Sequence, residues 1–265
     1  MKVPFTKAHG ASNDFLLTWA HAAPRDSQRD VARAMCYRHT GIGADGWILV
    51  SPGPGDAHAS IRLYNSDGSD SEISGNGTRC AAAFLADAGL AEDKVRILTG
   101  AGLRHLRLLE RDGLLFRFEM NMGRAVFPHQ GFTTLDLAAG PQGVLIVDVG
   151  NPQCVVMVDH LEFDWHGRGA EIERHPRFPQ RTNVSFVQVV DEHTLDVRFF
   201  ERGAGETMSS GTGSTGAVAA ALRLGRVRSP VTVLTLAGPL DLRLEQDEIY
   251  LTGPAQIVGG GEFYL

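Results

Sequence analysis

One stretch of this chain is written twice. Tyr64 leads through a polar loop to Ser74-Gly75-Asn76-Gly77, an alanine run and a closing Gly89, and Phe200 leads the same way to Ser210-Gly211-Thr212-Gly213, an alanine run and Gly225. At one constant offset the aromatic residue, the serine, both glycines, the alanines and the closing glycine coincide. Each copy reads as strand, polar loop, Ser-Gly-x-Gly turn and a helix stopped by glycine. The offset is about half of the 265 residues, which predicts two related halves rather than one large core.

The turn has a chemical meaning. The first turn of a helix exposes N–H groups with no intrahelical partner and carries the positive end of the helix dipole. Glycines beside it let a ligand approach the backbone, so each copy is a candidate carboxylate or phosphate site. Two such turns related by pseudo-symmetry suit a reaction that needs one group on each face of a carbon.

Elsewhere the periodicity predicts strands at 2–8 and 15–19, then a helix from an Asp26 cap to about His39. Strands follow at 47–50, 60–64 and 94–99, and a hairpin spans 103–119 around Arg111-Asp112-Gly113. The second half reads as strands at 144–148, 154–158, 184–189 and 194–200, with a helix over Glu162–Glu173 between them. A meander over 231–251 and a strand-like tail at 255–265 complete it. Strands outnumber helices and each half carries one helix after its motif, so the expected class is α+β, a helix packed in a curved sheet in each half. The lobes are expected to cover residues 1–118 and 119–254, with the tail 255–265 returning to the first.

A formal charge of -6 without a Lys/Arg cluster argues against a nucleic-acid partner. The N-terminal residues lack the apolar run of a signal peptide, and no stretch is long enough to span a membrane. Three cysteines, Cys36, Cys80 and Cys154, form no disulfide framework and fit a reducing cytoplasm. No paired Cys-x-x-Cys or His-Glu-x-x-His is present, so no metal is expected. Gly211 to Gly216 satisfies the dinucleotide fingerprint literally, but a long polar segment separates it from the preceding strand, and no acidic residue follows where a ribose would need one. Ser74 and Ser210 also lie outside any Gly-x-Ser-x-Gly elbow, which argues against a serine hydrolase. Asn13, Asn65, Asn151 and Asn183 each occupy a Gly- or Pro-punctuated loop, where asparagine suits a turn or a ligand contact. Arg202, between a strand and the second turn, is placed to fork a carboxylate.

Taken together these residues resemble the diaminopimelate epimerase family of cofactor-independent amino-acid epimerases. The likeness is carried by His9–Phe15, Gly41–Gly46, Asn65–Ser69, Gly75–Gly77, Gly150–Pro152, Arg181–Val184, Glu201–Thr207 and Gly211–Gly213. It implies two strand-rich barrels, each around a central helix, with the ligand cleft between them, and a homodimer in the cytoplasm acting in lysine biosynthesis. It also implies that two cysteines exchange a proton at the substrate α-carbon, whose carboxylate rests at the two helix N-termini. By position, Gly75, Asn76, Gly211 and Thr212 would cradle that carboxylate. Asn65, Asn183 and Arg202 would hold the distal amino-acid end, with Asn13, Asn151 and Glu201 nearby. Both cysteine positions are serine here, Ser74 and Ser210, and the family's usual histidine is Gln153. Three readings stay open: a homologue that epimerises LL- and meso-diaminopimelate or a related amino acid through serines assisted by carboxylates, a homologue that only binds an amino acid or runs another reaction, and an engineered Cys-to-Ser pair.

Overall fold

The duplication seen in the residues returns as a duplication of strand pairing. A computed structural model describes residues 1–265, which divide into two units, Met1–Asn121 with Thr252–Leu265, and Met122–Leu251.

In the first unit β1 (Lys2–Gly10) pairs antiparallel with β2 (Asn13–Trp19), and β2 runs parallel to β3 (Gly46–Pro52). Next, β3 pairs antiparallel with β4 (Ala59–Asn65), which takes on the short β5 (Asp70–Ser71) and lies parallel to β6 (Lys94–Thr99). The chain then turns back through β7 (Gly102–Asp112) and β8 (Leu115–Gly123). The last strand, β17 (Glu248–Tyr264), pairs with β8 and runs antiparallel to β1 from Lys2 opposite Tyr264 to His9 opposite Gln256. That pairing closes the sheet into a barrel, which leaves no open edge to recruit another strand.

The second unit repeats the pattern. An antiparallel pair, β10 (Gly140–Asp148) and β11 (Pro152–Val158), is followed by β12 (Asn183–Asp191) parallel to β11. Then β13 (Thr194–Glu201) pairs antiparallel with β12 and takes on the short β14 (Gly205–Thr207). A parallel step leads to β15 (Val231–Thr235) and an antiparallel turn to β16 (Gly238–Glu245), while β9 (Thr133–Leu137) flanks β10.

Parallel neighbours need a long crossover, and in both units the second crossover is the helix that follows the repeated turn. Helix α2 (Gly75–Asp87) packs on β1, β2, β3 and β6, and α4 (Gly211–Arg223) on β10 to β13, β15 and β16. Both are buried on nearly every face. A helix without a polar face belongs in a core, and alanine runs let strands approach it on all sides. Gly89 and Gly225, at φ 69 and 64, end the two helices in the left-handed conformation that releases the chain.

Each unit carries one further helix, α1 (Gln28–Cys36) or α3 (Trp165–Glu173). The strand alternation sorts the two layers: a side chain added at Gly77 of α2 would lie 3.2 Å from Ile48, whereas the neighbouring Trp47 packs with Met35 of α1 and Tyr64. No helix is long and apolar enough to cross a membrane.

Several boundaries differ from the sequence expectation. Ser27 rather than Asp26 precedes α1, at φ 59, and its carbonyl instead of its side chain accepts the N–H groups of Asp30 and Val31. That helix stops at Cys36, three residues before His39, because Tyr37 is extended and the chain folds back so tightly that a Cβ on Gly41 would sit 2.2 Å from the Ala34 carbonyl. Asp164 accepts from Gly167 N–H and so starts α3 later than Glu162. The tail and the strand before it form one continuous β17.

Candidate functional site

Ser74 and Ser210 occupy the N-caps of α2 and α4 with nearly the same backbone, φ -129 and ψ 123 against φ -137 and ψ 123. Ser74 Oγ accepts from Gly77 N–H at 3.1 Å, and Ser210 Oγ from Gly213 N–H at 3.0 Å. Extended backbone at the cap turns each side chain back over the first turn, the usual geometry of a serine cap. Gly75, Asn76, Gly211 and Thr212 form those first turns, as the motif predicts.

The two halves part ways beyond the caps. Ser210 Oγ donates to Glu201 Oε1 at 2.6 Å, whereas Ser74 hydrogen-bonds no carboxylate of its own unit. Glu201 ends β13, opposite Gly205 of β14, so a tight hairpin aims it at the cap. The hairpin is held from behind by Glu173, which is buried, accepts from Gly203 N–H at 3.1 Å and pairs with Arg181 at 3.1 Å. Arg202 lies in the same turn. Its backbone N–H donates to Asn183 Oδ1 at 3.0 Å, and its Nη1 to the Gln180 carbonyl at 3.4 Å. Asn183 also donates from Nδ2 to the Pro152 carbonyl at 3.0 Å, so its amide ties β12 to the β10–β11 hairpin.

In that hairpin Gln153 Nε2 donates to Asn151 Oδ1 at 2.8 Å, and Asn151 Nδ2 approaches Thr212 Oγ1 at 3.4 Å. Gln153 is fully buried and its Oε1 has no partner. The second unit therefore gathers Asn151, Gln153, Asn183, Glu201, Arg202, Ser210 and Thr212 around the start of α4.

The first unit shows a matching wire with a different source. Arg79 Nη2 donates to Asn76 Oδ1 at 2.5 Å, Asn76 Nδ2 to Asn13 Oδ1 at 3.2 Å, and Asn13 Nδ2 to Asp45 Oδ2 at 2.7 Å. Asp45 in turn receives Arg38, which also pairs with Asp14. Burial pushes the Asp14 carboxyl up, but the Arg38 and Lys7 hydrogen bonds outweigh it and hold the group below the usual aspartate value. Asp45 is pushed the other way by burial and by the Asp14 charge. Asn65 stands apart from this wire, its Nδ2 donating to Ser69 Oγ at 3.0 Å within its own loop.

Asp45, Arg79 and Glu173 escaped the sequence reading. Arg79 had a signal, a charged residue directly ahead of the run Cys80-Ala-Ala-Ala-Phe-Leu-Ala86; Glu173 had none. The three cysteines are free and buried, and burial pushes the Cys36 and Cys80 thiols up to about 12. No group of three or more His, Cys, Asp or Glu side chains gathers where a metal ion could be held.

The sequence model of the diaminopimelate epimerase family matches residues 5–128 and 145–258. The diaminopimelate epimerase of Pelotomaculum thermopropionicum is 38% identical over 275 residues, covering 98% of this chain and 98% of that protein. That of Burkholderia ambifaria is 39% identical over 292 residues, covering 100% of this chain and 99% of its own. Among solved structures, a hydroxyproline epimerase from Agrobacterium vitis aligns with a TM-score of 0.77 at 17% identity, over 98% of this chain and 90% of that one. A methylitaconate-delta-isomerase aligns with a TM-score of 0.65 at 15% identity, over 99% of this chain and 95% of that one. At such identities these two structures speak for the fold alone.

Proposed function

The chain belongs to the diaminopimelate epimerase family, and from that premise we propose that it is a cofactor-independent epimerase of diaminopimelate or a related amino acid, with Ser74 and Ser210 standing where the family's cysteines stand. The observation that carries the proposal is the 2.6 Å hydrogen bond from Ser210 to Glu201. A serine has no accessible anion near neutral pH and needs an adjacent base. Glu201 supplies one: as Ser210 Oγ takes the substrate α-proton, its own hydroxyl proton passes to Glu201 Oε1. A positioned base of this kind contributes roughly 10²–10⁴-fold.

The electrons left on the α-carbon spread into the α-carboxylate. The first turns of α2 and α4, with Gly75, Asn76, Gly211 and Thr212, oppose that growing charge with N–H groups and the positive ends of two helix dipoles. Ser74 returns a proton from its hydroxyl to the carbon and is left as the alkoxide; solvent then returns a proton to Ser74 and takes the one held by Glu201. Gln153 has no titratable group, so proton handling in the second unit falls to Glu201. Asn65, Asn183 and Arg202 hold the distal end of the substrate, with Asn13, Asn151 and Glu201 nearby. A homodimer in the cytoplasm accompanies this reading on the family likeness.

The test is incubation of LL- and meso-diaminopimelate with the protein in heavy water. Deuterium at one α-carbon, detected by mass spectrometry, is the expected result. Binding by calorimetry with no exchange at high protein concentration would overturn the epimerase and leave an amino-acid-binding homologue.

A further inference from the structure

Arg79 is the one buried charged side chain of α2, the other, Asp87, being exposed at the helix end. It has no exposed surface, and no carboxylate pairs with it. Its Nε donates to the Pro254 carbonyl at 3.2 Å, its Nη2 donates to Asn76 Oδ1 at 2.5 Å, and its Nη1 is buried without any partner. A fully buried, incompletely bonded guanidinium is costly to a fold. Burial has moved it down to about 10, still well above neutral, so the charge is present under ordinary conditions.

The position in α4 that matches Arg79 in the repeat is Thr215, whose hydroxyl merely donates to the Gly211 carbonyl at 2.8 Å. A buried cation is therefore no requirement of the helix-in-barrel architecture. The two amides and the carboxylate linked to Arg79 are also aligned: every bond from Arg79 through Asn76 and Asn13 to Asp45 donates in the same direction. Such a chain polarises its members and fixes which way each amide faces.

We infer that Arg79 is a positioning residue for an anionic ligand group: it sets the Asn76 amide and adds a buried positive charge behind the N-terminus of α2, so that this turn rather than that of α4 is the stronger carboxylate holder. The helix dipole alone acts over its first turn and is weakened by salt; a cation sheltered from solvent is screened much less. The two halves are then electrically unequal, with Arg79 behind α2 and Glu201 beside α4. This deepens the proposed function and rests on it for the identity of the natural ligand, but not for the anion preference itself.

The test uses the full chain and formate, the simplest carboxylate. With ¹⁵N-labelled glycine, the Gly75 and Gly77 amide resonances of the unsubstituted protein are expected to move with formate and saturate. Arg79→Met, close in volume and uncharged, is expected to melt no lower than the parent, yet to raise the formate midpoint by about 10- to 100-fold, by analogy with the loss on removing an outer-shell partner of a metal ligand. Arg79→Lys keeps the charge but cannot reach both Pro254 and Asn76 as the guanidinium does, and should fall between the two. In the exchange assay Arg79→Lys should raise KM for diaminopimelate more than it lowers kcat. Equal formate midpoints in the parent and either folded variant, or no glycine shift in the parent, would overturn the inference. A melting loss in Arg79→Met with formate midpoints unchanged in Arg79→Lys would make the residue structural and overturn it as well. Failure of α-proton exchange with formate binding intact would count against the proposed reaction alone.

Discussion

Ser210 and Glu201 are joined by a hydrogen bond of 2.6 Å, while Ser74, in the same cap geometry, hydrogen-bonds no carboxylate of its own unit. That length lies in the range of hydroxyl-to-carboxylate hydrogen bonds, which are shorter than neutral ones. Glu201→Gln keeps the shape and removes the base. Exchange of the α-proton should fall by roughly 10²–10⁴-fold in kcat, with KM changed far less. Glu201→Asp should recover part of the loss. An unchanged kcat in Glu201→Gln would remove Glu201 from the proton path.

Changing both Ser74 and Ser210 to cysteine should raise the exchange rate strongly, because a thiol at a helix N-terminus reaches a usable thiolate fraction, from an ordinary pKa of about 8.5. The native cysteines provide a clean background for a labelling control. Burial holds Cys36 and Cys80 at about 12, and Cys154 is raised as well by burial. The unsubstituted protein should therefore resist iodoacetamide near pH 8 while the double variant reacts and loses activity. Alkylation without any gain in exchange rate would show that these positions are reactive but not catalytic.

Arg202→Ala should weaken a diaminodicarboxylic acid far more than alanine or serine, because only the longer ligand has a distal carboxylate for the guanidinium to fork. Competition binding with the three amino acids reads the difference. Equal losses would place Arg202 away from the distal end. Glu173→Gln offers a second view of the same turn: it keeps an acceptor for Gly203 but drops the ion pair with Arg181 at 3.1 Å. Its effect should fall on kcat together with KM, since Glu201 and Arg202 share that turn.

Gly213 has no room for a side chain. A Cβ there would lie 2.7 Å from Phe199 Cδ1, whereas the matching Gly77 would meet nothing closer than 3.2 Å. Gly213→Ala is expected to destabilise by about 1–3 kcal/mol through overpacking, and Gly77→Ala by less. Thermal unfolding reads the difference, and Gly213→Ala combined with Phe199→Leu should recover part of it. A Gly213→Ala protein that melts with its parent would show that the Phe199 ring moves aside at little cost.

The repeat was legible because its turn is local chemistry: serine, two glycines and a helix stop lie within a few residues of each other. The α+β class followed from strand periodicity. The barrel pairing was not legible, since β4 beside β6, or β13 beside β15, is a contact between segments separated by a whole helix. Short strands such as β5 and β14 carry too few residues to alternate visibly. In the site, Ser210 and Glu201 were both named from sequence, but the bond between them depends on the tight β13–β14 hairpin. Glu173 was hidden because its function comes from where its burial places it, beneath a turn 30 residues further on. The unequal charge of the two halves was only half visible: Arg79 stands out against the apolar run that follows it, but only its burial shows that the charge is sheltered.

The pairing of β1 with the end of β17, Lys2 opposite Tyr264, carries a consequence for biosynthesis. A ribosome releases the second unit, Met122–Leu251, as an unbroken run, whereas the first must wait for Thr252–Leu265 before its barrel can close. Nascent chains tend to fold domain by domain as they emerge, and here the order is inverted, the later-made half being the first able to finish. Loss of Thr252–Leu265 would therefore spare the half made just before it and cripple the half made first.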